Sequence, residues 1–255
     1  MQAALYPGTF ANPIPPPRAT RGGAAVICAE VTLLSTIMVV PRGIDLWAIA
    51  AGALLAVCAI GSRSMQAVHL SLFGLIWVVK PHLVPVFRPW PASLIVPLIV
   101  YGILVATLPP LRHSFGWLRR GRPGPDILKL AVATTLISGT ALVAWYLVVR
   151  PDSSRILRFM PRMPGWLYPF AGLGFAMGNA ALEEAIFRGI ITDALDSALG
   201  PGRASIVLQA VPFALLHLYG GFPSGFWGLA MVFIHGIMLG AIRSCESAPW
   251  EFGDM

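Results

Sequence analysis

Carboxylates are where chemistry is to be sought in this sequence, because one pair of them lies where carboxylates are costly. Of 11 Asp and Glu residues, most fall in the gaps between apolar runs or at their ends. The exception is Glu183-Glu184, inside Gly174-Phe-Ala-Met-Gly-Asn-Ala-Ala-Leu-Glu-Glu-Ala-Ile-Phe-Arg-Gly-Ile-Ile-Thr192. Ionisable groups in such surroundings are expensive and usually serve a function. Arg188 stands four positions after Glu184, on the same helical face, where it can pair with that carboxylate. One Arg against two acids leaves a carboxylate without a counter-charge, the condition under which such a group serves as a general base.

His217 lies beyond a chain reversal at Gly200-Pro201-Gly202. Counted from that turn, Glu184 is about 17 residues back and His217 about 16 forward, so in an antiparallel helical hairpin both reach a similar depth, about 25 Å from the turn. Two carboxylates, an Arg and a His at one level are suited to activating water. In a soluble helix the Glu-Arg spacing would more often be a solvated salt bridge, and His217 alone would read as an interfacial histidine. His235, in Phe233-Ile-His-Gly-Ile-Met-Leu-Gly240, falls about 10 Å from His217 in depth and joins the site only if its helix tilts or its loop is long. Gly236 and Gly240, four apart, have the spacing of close helix packing. Asn179, one turn before Glu183, is placed to hydrogen-bond within the bundle. Glu30 and Asp45 have no evident partner, and His69, His82 and His113 fall at run edges or in gaps without assigned chemistry.

The elements that must position these residues follow from composition. The chain has 255 residues, 56% hydrophobic and 11% charged, with a mean hydropathy of +0.74. Soluble domains carry about 25% charged residues, so an ordinary cytosolic enzyme, a disordered chain and a nucleic-acid-binding domain are excluded. The net charge of +7 resides mainly between apolar runs, as at Arg112, Arg119, Arg120 and Arg122. That suits lipid headgroups and a positive-inside bias, and no nucleic-acid partner is expected. Three cysteines make no disulfide or zinc framework.

A spanning helix needs about 20 apolar residues, with about 17 tolerated. Candidate spans lie at 23–40, 44–61, 67–87, 91–109, 127–149, 166–198, 203–219 and 225–242. The third is interrupted by Lys80, Pro81, His82 and Pro85. The expectation is an all-α polytopic transmembrane bundle of about eight spans. A Pro-rich flexible tail fills 1–22, N-terminal membrane helices of unassigned role fill 23–164, a core carrying the chemistry fills 165–243, and a tail fills 244–255. A weak excess of basic residues puts the N-terminus on the cytoplasmic side. The stretch Phe115-Gly-Trp-Leu-Arg-Arg120 reads as an interfacial anchor.

Two segments resemble a known family. Glu183-Glu184-Ala-Ile-Phe-Arg188 is similar to the EExxxR motif, and Phe213-Ala-Leu-Leu-His217 to the FxxxH motif, of the CAAX protease and bacteriocin-processing (CPBP) intramembrane proteases. The resemblance covers residues 165–243. It implies an endopeptidase in which Glu184 or Glu183 activates water, Arg188 holds the pair and His217 completes the site, with His235 as an additional candidate. The implied setting is a bilayer, the bacterial inner membrane, and the implied partner is a membrane protein or a lipidated or leader-peptide substrate. A glutamic-type, metal-independent mechanism is the preferred reading; were a divalent metal such as zinc used, Glu184 and His217 would be its ligands. The family's further HxxxN-like motif is not found: Leu239, not Asn, follows His235 at the fourth position. Truncation or a shifted frame in the tail would account for that, and the alternative function is a catalytically degenerate immunity or scaffold protein of the same family.

Overall fold

Proline and glycine punctuation sets where each helix starts and stops. The computed structural model describes residues 17–40, 45–83, 86, 91–116, 124–152, 154 and 162–247. Among these, every regular element is helical: α1 (Arg21–Val39), α2 (Asp45–Gly61), α3 (Met65–Leu83), α4 (Ala92–Thr107), the short α5 (Pro109–Ser114) and α6 (Pro125–Val149). A 3-10 turn (Gly165–Leu167) leads into α7 (Tyr168–Glu183), which continues as a π-helix (Glu184–Ile191) and then α8 (Thr192–Leu199). The chain ends its described course in α9 (Arg203–Gly220) and α10 (Gly225–Ser247).

Local chemistry explains several ends. Thr20 caps α1 by accepting from the Gly23 amide at 3.0 Å, a bond that satisfies one of the helix's free donors. Gly200 (φ 86°) and Gly202 (φ 152°) supply the left-handed backbone of the Gly-Pro-Gly reversal, and α9 then returns alongside α8. The third run is helical through Lys80, Pro81 and His82 as far as Leu83, and Pro85 lies outside the described residues. Lys80 is buried and donates to the Ser93 carbonyl of α4, so its charge is met by a backbone dipole rather than by lipid.

The all-α bundle matches the expected class, but the span count does not reach eight. Among the described residues, three helices are long and apolar enough to cross a membrane: Arg21–Val39, Pro125–Val149 and Gly225–Cys245. Leu46–Gly61, Met65–Lys80, Ala92–Thr107 and Arg203–Tyr219 are apolar but shorter. Sixteen residues of α4 extend only about 24 Å, short of a hydrocarbon core of about 30 Å. The run at 166–198 is not one uniform span either. From Glu184 to Ile191 it is π-helical, with Glu184 and Arg188 in that stretch and Glu183 as the last residue of α7.

The bundle has an apolar core, with Ile27, Leu70, Phe73 and Phe187 buried in it, into which polar groups are set, and its outside is apolar as well. Glu30, Gln66, His69, Ser71, Arg188 and Gln209 are buried, while α6 exposes Leu136, Leu147 and Val148 and α7 exposes Phe170, Leu173 and Met177. Apolar exposure on this scale marks a surface that meets lipid, and the chain is an integral membrane protein. Helix α1 runs through the centre, packed on α2, α3, α8 and α9, while α10 lies between α9 and α6. Since lipid offers no hydrophobic gain to helix pairing, close packing must supply it. Gly236 and Gly240 do so, as the sequence suggested. A Cβ on Gly236 would stand 3.0 Å from the Ala210 Cβ and from Phe213 Cδ1, and one on Gly240 2.9 Å from Gln209 Nε2. Gln209 itself crosses the seam, donating to the Gly236 carbonyl at 2.8 Å.

The Pro-rich tail lies outside the described residues up to 16. Its end is held: the Ala19 amide donates to Ser197 O at 2.8 Å, Thr20 Oγ1 donates to Ser62 O at 2.8 Å, and α1 begins at Arg21, inside the segment expected to be tail. Most of the expected interfacial anchor (117–120) and the last residues of the C-terminal tail (248–255) also lie outside the described residues.

Candidate active site

The first half of the site is built by the change of helix type at Glu184. At the end of the π-helix the Thr192 amide donates to Phe187 O, five residues back as the wider π turn requires, and the Thr192 hydroxyl donates to the same carbonyl at 2.7 Å. Such turns are uncommon and occur often at functional sites. The two acids diverge here. Glu184 Oε1 stands 3.3 Å from Arg188 Nη1, with the Glu184 side chain 44% and that of Arg188 3% exposed. Glu183 faces the other way: its Oε1 accepts from Asn179 Nδ2 at 2.9 Å and stands 3.9 Å from His217 Nε2 of α9. The hairpin thus brings the acid pair and His217 to one level, with Glu183 rather than Glu184 nearest the imidazole.

Phe213 organises the second half. Its carbonyl faces His217 Nδ1 at 3.0 Å; a carbonyl can only accept, so Nδ1 carries the proton and Nε2 is left as an acceptor in the neutral ring. The Phe213 ring lies 4.2 Å beneath the Arg188 guanidinium carbon and packs edge-on against Phe187 and His217. A buried cation over an aromatic face gains about 2 kcal/mol. The guanidinium depends on that contact and on Glu184, since none of its nitrogens makes a hydrogen bond among the described residues.

His235 comes nearer than depth counting suggested. It stands across from Phe213, with ring centroids 6.4 Å apart, and lies within electrostatic reach of Arg188 and His217. Its Nδ1 is 2.9 Å from Ser138 Oγ of α6, so the region before residue 165 contributes to the site. Sequence reasoning missed Ser138, for which no local signal exists. It also missed Gly221, where any Cβ would overlap the His217 ring; the Gly220-Gly221 pair just beyond the helix was the available hint.

The other polar candidates lie elsewhere. Glu30 is wholly buried in α1 against Gly74 of α3, where a Cβ would overlap its carboxylate. His69 lies near the start of α3, its ring nitrogens 2.8 Å from Tyr101 Oη and 2.9 Å from Ser114 Oγ. A catalytic zinc normally has three protein ligands. Among the described residues no three His, Cys, Asp or Glu side chains converge, and Glu184 is engaged by Arg188, so this donor set does not fit such a site.

Residues 165–250 match the family model described as type II CAAX prenyl endopeptidase Rce1-like. The match takes in both motifs and supports the CPBP assignment read from them; at family level it is that of a CAAX-type membrane endopeptidase. No curated protein and no solved structure matches the chain.

Proposed function

We propose that this chain is a multi-pass membrane endopeptidase, in a bacterial inner membrane, that hydrolyses a peptide bond of a membrane-associated protein by glutamate-activated water. One observation carries the reading: the 3.9 Å separation of Glu183 Oε1 and His217 Nε2. Both atoms are acceptors when the carboxylate is ionised and the ring neutral, so they are compatible only with a donor between them. Two hydrogen bonds of about 2.8 Å meet over such a gap at about 90°, not far from the angle between the two O–H bonds of water. A water held so gives a proton toward each acceptor and keeps its lone pairs for the substrate carbonyl.

In this reading the acid pair works as a unit with divided labour. Glu183 takes the proton from water as it attacks, and delivers it to the leaving amine as the C–N bond breaks. Asn179 holds Glu183, Arg188 holds Glu184, and His217 orients the water. His235 stands by as an auxiliary group. The substrate is a lipidated tail or leader peptide that reaches the site within the bilayer.

The test compares protein termini in membranes from cells carrying the wild-type chain, Glu183→Ala, Glu184→Ala or His217→Ala at matched expression. General-base removal costs about 10²–10⁴-fold in rate, so termini present with wild type should vanish with Glu183→Ala and His217→Ala. Identical termini in all four would remove the protease reading. The burial of Arg188 and its stacking on Phe213 favour a second reading, in which the Glu-Arg pair braces α9 against the π-helix of a non-catalytic scaffold or immunity protein. That reading expects Glu184→Gln to preserve function.

A further inference from the structure

At the end of the bundle where α1 and α3 begin, far from Glu183, the structure contains a cavity of about 340 Å³ lined by Arg18, Arg63, Ser64, Gln66, His113 and Ser114, among others. We propose that it is a binding site for a phosphate group, carried by a lipid headgroup or free in solution.

Charge is the first argument. Two arginines and a histidine line the cavity and, among the described residues, no carboxylate does. Arginine's planar fork suits a tetrahedral oxyanion better than any other side chain. Place is the second. The helix ends that surround the cavity belong to a bundle whose sides expose apolar residues, and headgroup phosphates flank the ends of helices that cross a bilayer. The Gly-Pro-Gly reversal ends at the same level, with the Arg18 guanidinium beside Gly200.

Part of the wall is fixed, while Arg18, Arg63 and His113 stand exposed at its rim. Ser114 is held by His69 at 2.9 Å, and His69 in turn by Tyr101 at 2.8 Å. Ser64 and Gln66 are each 4% exposed, and the Ser64 hydroxyl has no hydrogen-bond partner among the described residues. Arg63 adds a telling detail. Its φ of 56° is a left-handed conformation that glycine adopts without strain and arginine rarely adopts. The position keeps a cation where the backbone alone would favour glycine.

That detail supplies the decisive variant. Arg63→Gly removes the charge while suiting the backbone, so the protein should fold at least as well as wild type. Purified full-length chain in neutral detergent would be titrated with inorganic phosphate, and separately with micelles containing phosphatidylglycerol, following tryptophan fluorescence and thermal unfolding. The wild type should be stabilised by one or both probes. Arg63→Gly and Arg18→Gln should bind it about tenfold or more weaker, without loss of helical signal. Lipid binding that millimolar phosphate does not displace assigns the site to a headgroup. Binding of phosphate alone assigns it to a soluble anion. Stabilisation of Arg63→Gly and Arg18→Gln equal to that of wild type, or none in wild type, overturns the proposal.

Discussion

Phe213 makes contacts that decide how two polar neighbours stand: its ring supports Arg188 and its carbonyl fixes the proton on His217. The FxxxH spacing therefore has a physical content. Four residues is one helical turn, the reach of a side chain back to the carbonyl beneath it. Gly221 presses the same imidazole from the other side. Gly221→Ala should push the ring away from Glu183 and lower cleavage by an order of magnitude or more, about 1.4 kcal/mol for each tenfold, while circular dichroism stays that of wild type. Glu184→Gln tests the opposite face of the site. It leaves the Arg188 charge buried with only the Phe213 ring beneath it. Because Glu184 itself is 44% exposed, the loss should be on the order of 1 kcal/mol rather than that of a fully buried pair, read as a lowered unfolding temperature in detergent.

At the level of elements, the seam between α9 and α10 is the most exacting. Gly236 meets Ala210 and Phe213 at contact distance, so Gly236→Ala must separate the helices or distort them. Overpacking of this kind costs about 1–3 kcal/mol, and because Phe213 is one of the atoms displaced, cleavage should fall with stability. Ser138→Ala probes the packing of α6. Hydrogen bonds between membrane helices average about 0.6 kcal/mol, so stability should barely change. If His235 assists the reaction, cleavage should drop, and Ser138→Thr, which restores a hydroxyl, should recover it.

The same elements mark what could be read in advance. Run lengths and Pro-Gly punctuation placed most helix ends within a few residues, since a lipid-facing helix must be apolar along its length. Equal depth across the Gly-Pro-Gly turn brought His217 to the acid pair. The π-helix was not legible, because Glu184 to Ile191 contains nothing that a regular α-helix would refuse. Nor was the approach of His235, which depends on how closely glycines let α10 lie against α9. Ser138 was invisible for a plainer reason: a serine in an apolar run acquires a role only from what tertiary structure sets opposite it. The candidate span at 166–198 is three consecutive helical segments, a division that hydropathy averaged over the run does not show.

For the whole molecule, an apolar core with polar groups set into it, inside an exterior that is also apolar, means that stability rests on close packing rather than on the exclusion of water. One feature of that exterior bears on the site directly. No residue of α7 is buried, yet α7 ends at Glu183. A helix with so little buried surface, resting on α4 and on the core at Leu182, adjusts its tilt to the medium at a cost of fractions of a kcal/mol per Å of mismatch. Reconstitution in bilayers of stepped acyl-chain length should therefore give a cleavage rate with an optimum, while the unfolding temperature of the bundle changes little. In such a protein the thickness of the surrounding sheet of lipid acts as a dial on the catalyst, and the same polypeptide would work at different speeds in different patches of one cell's membrane.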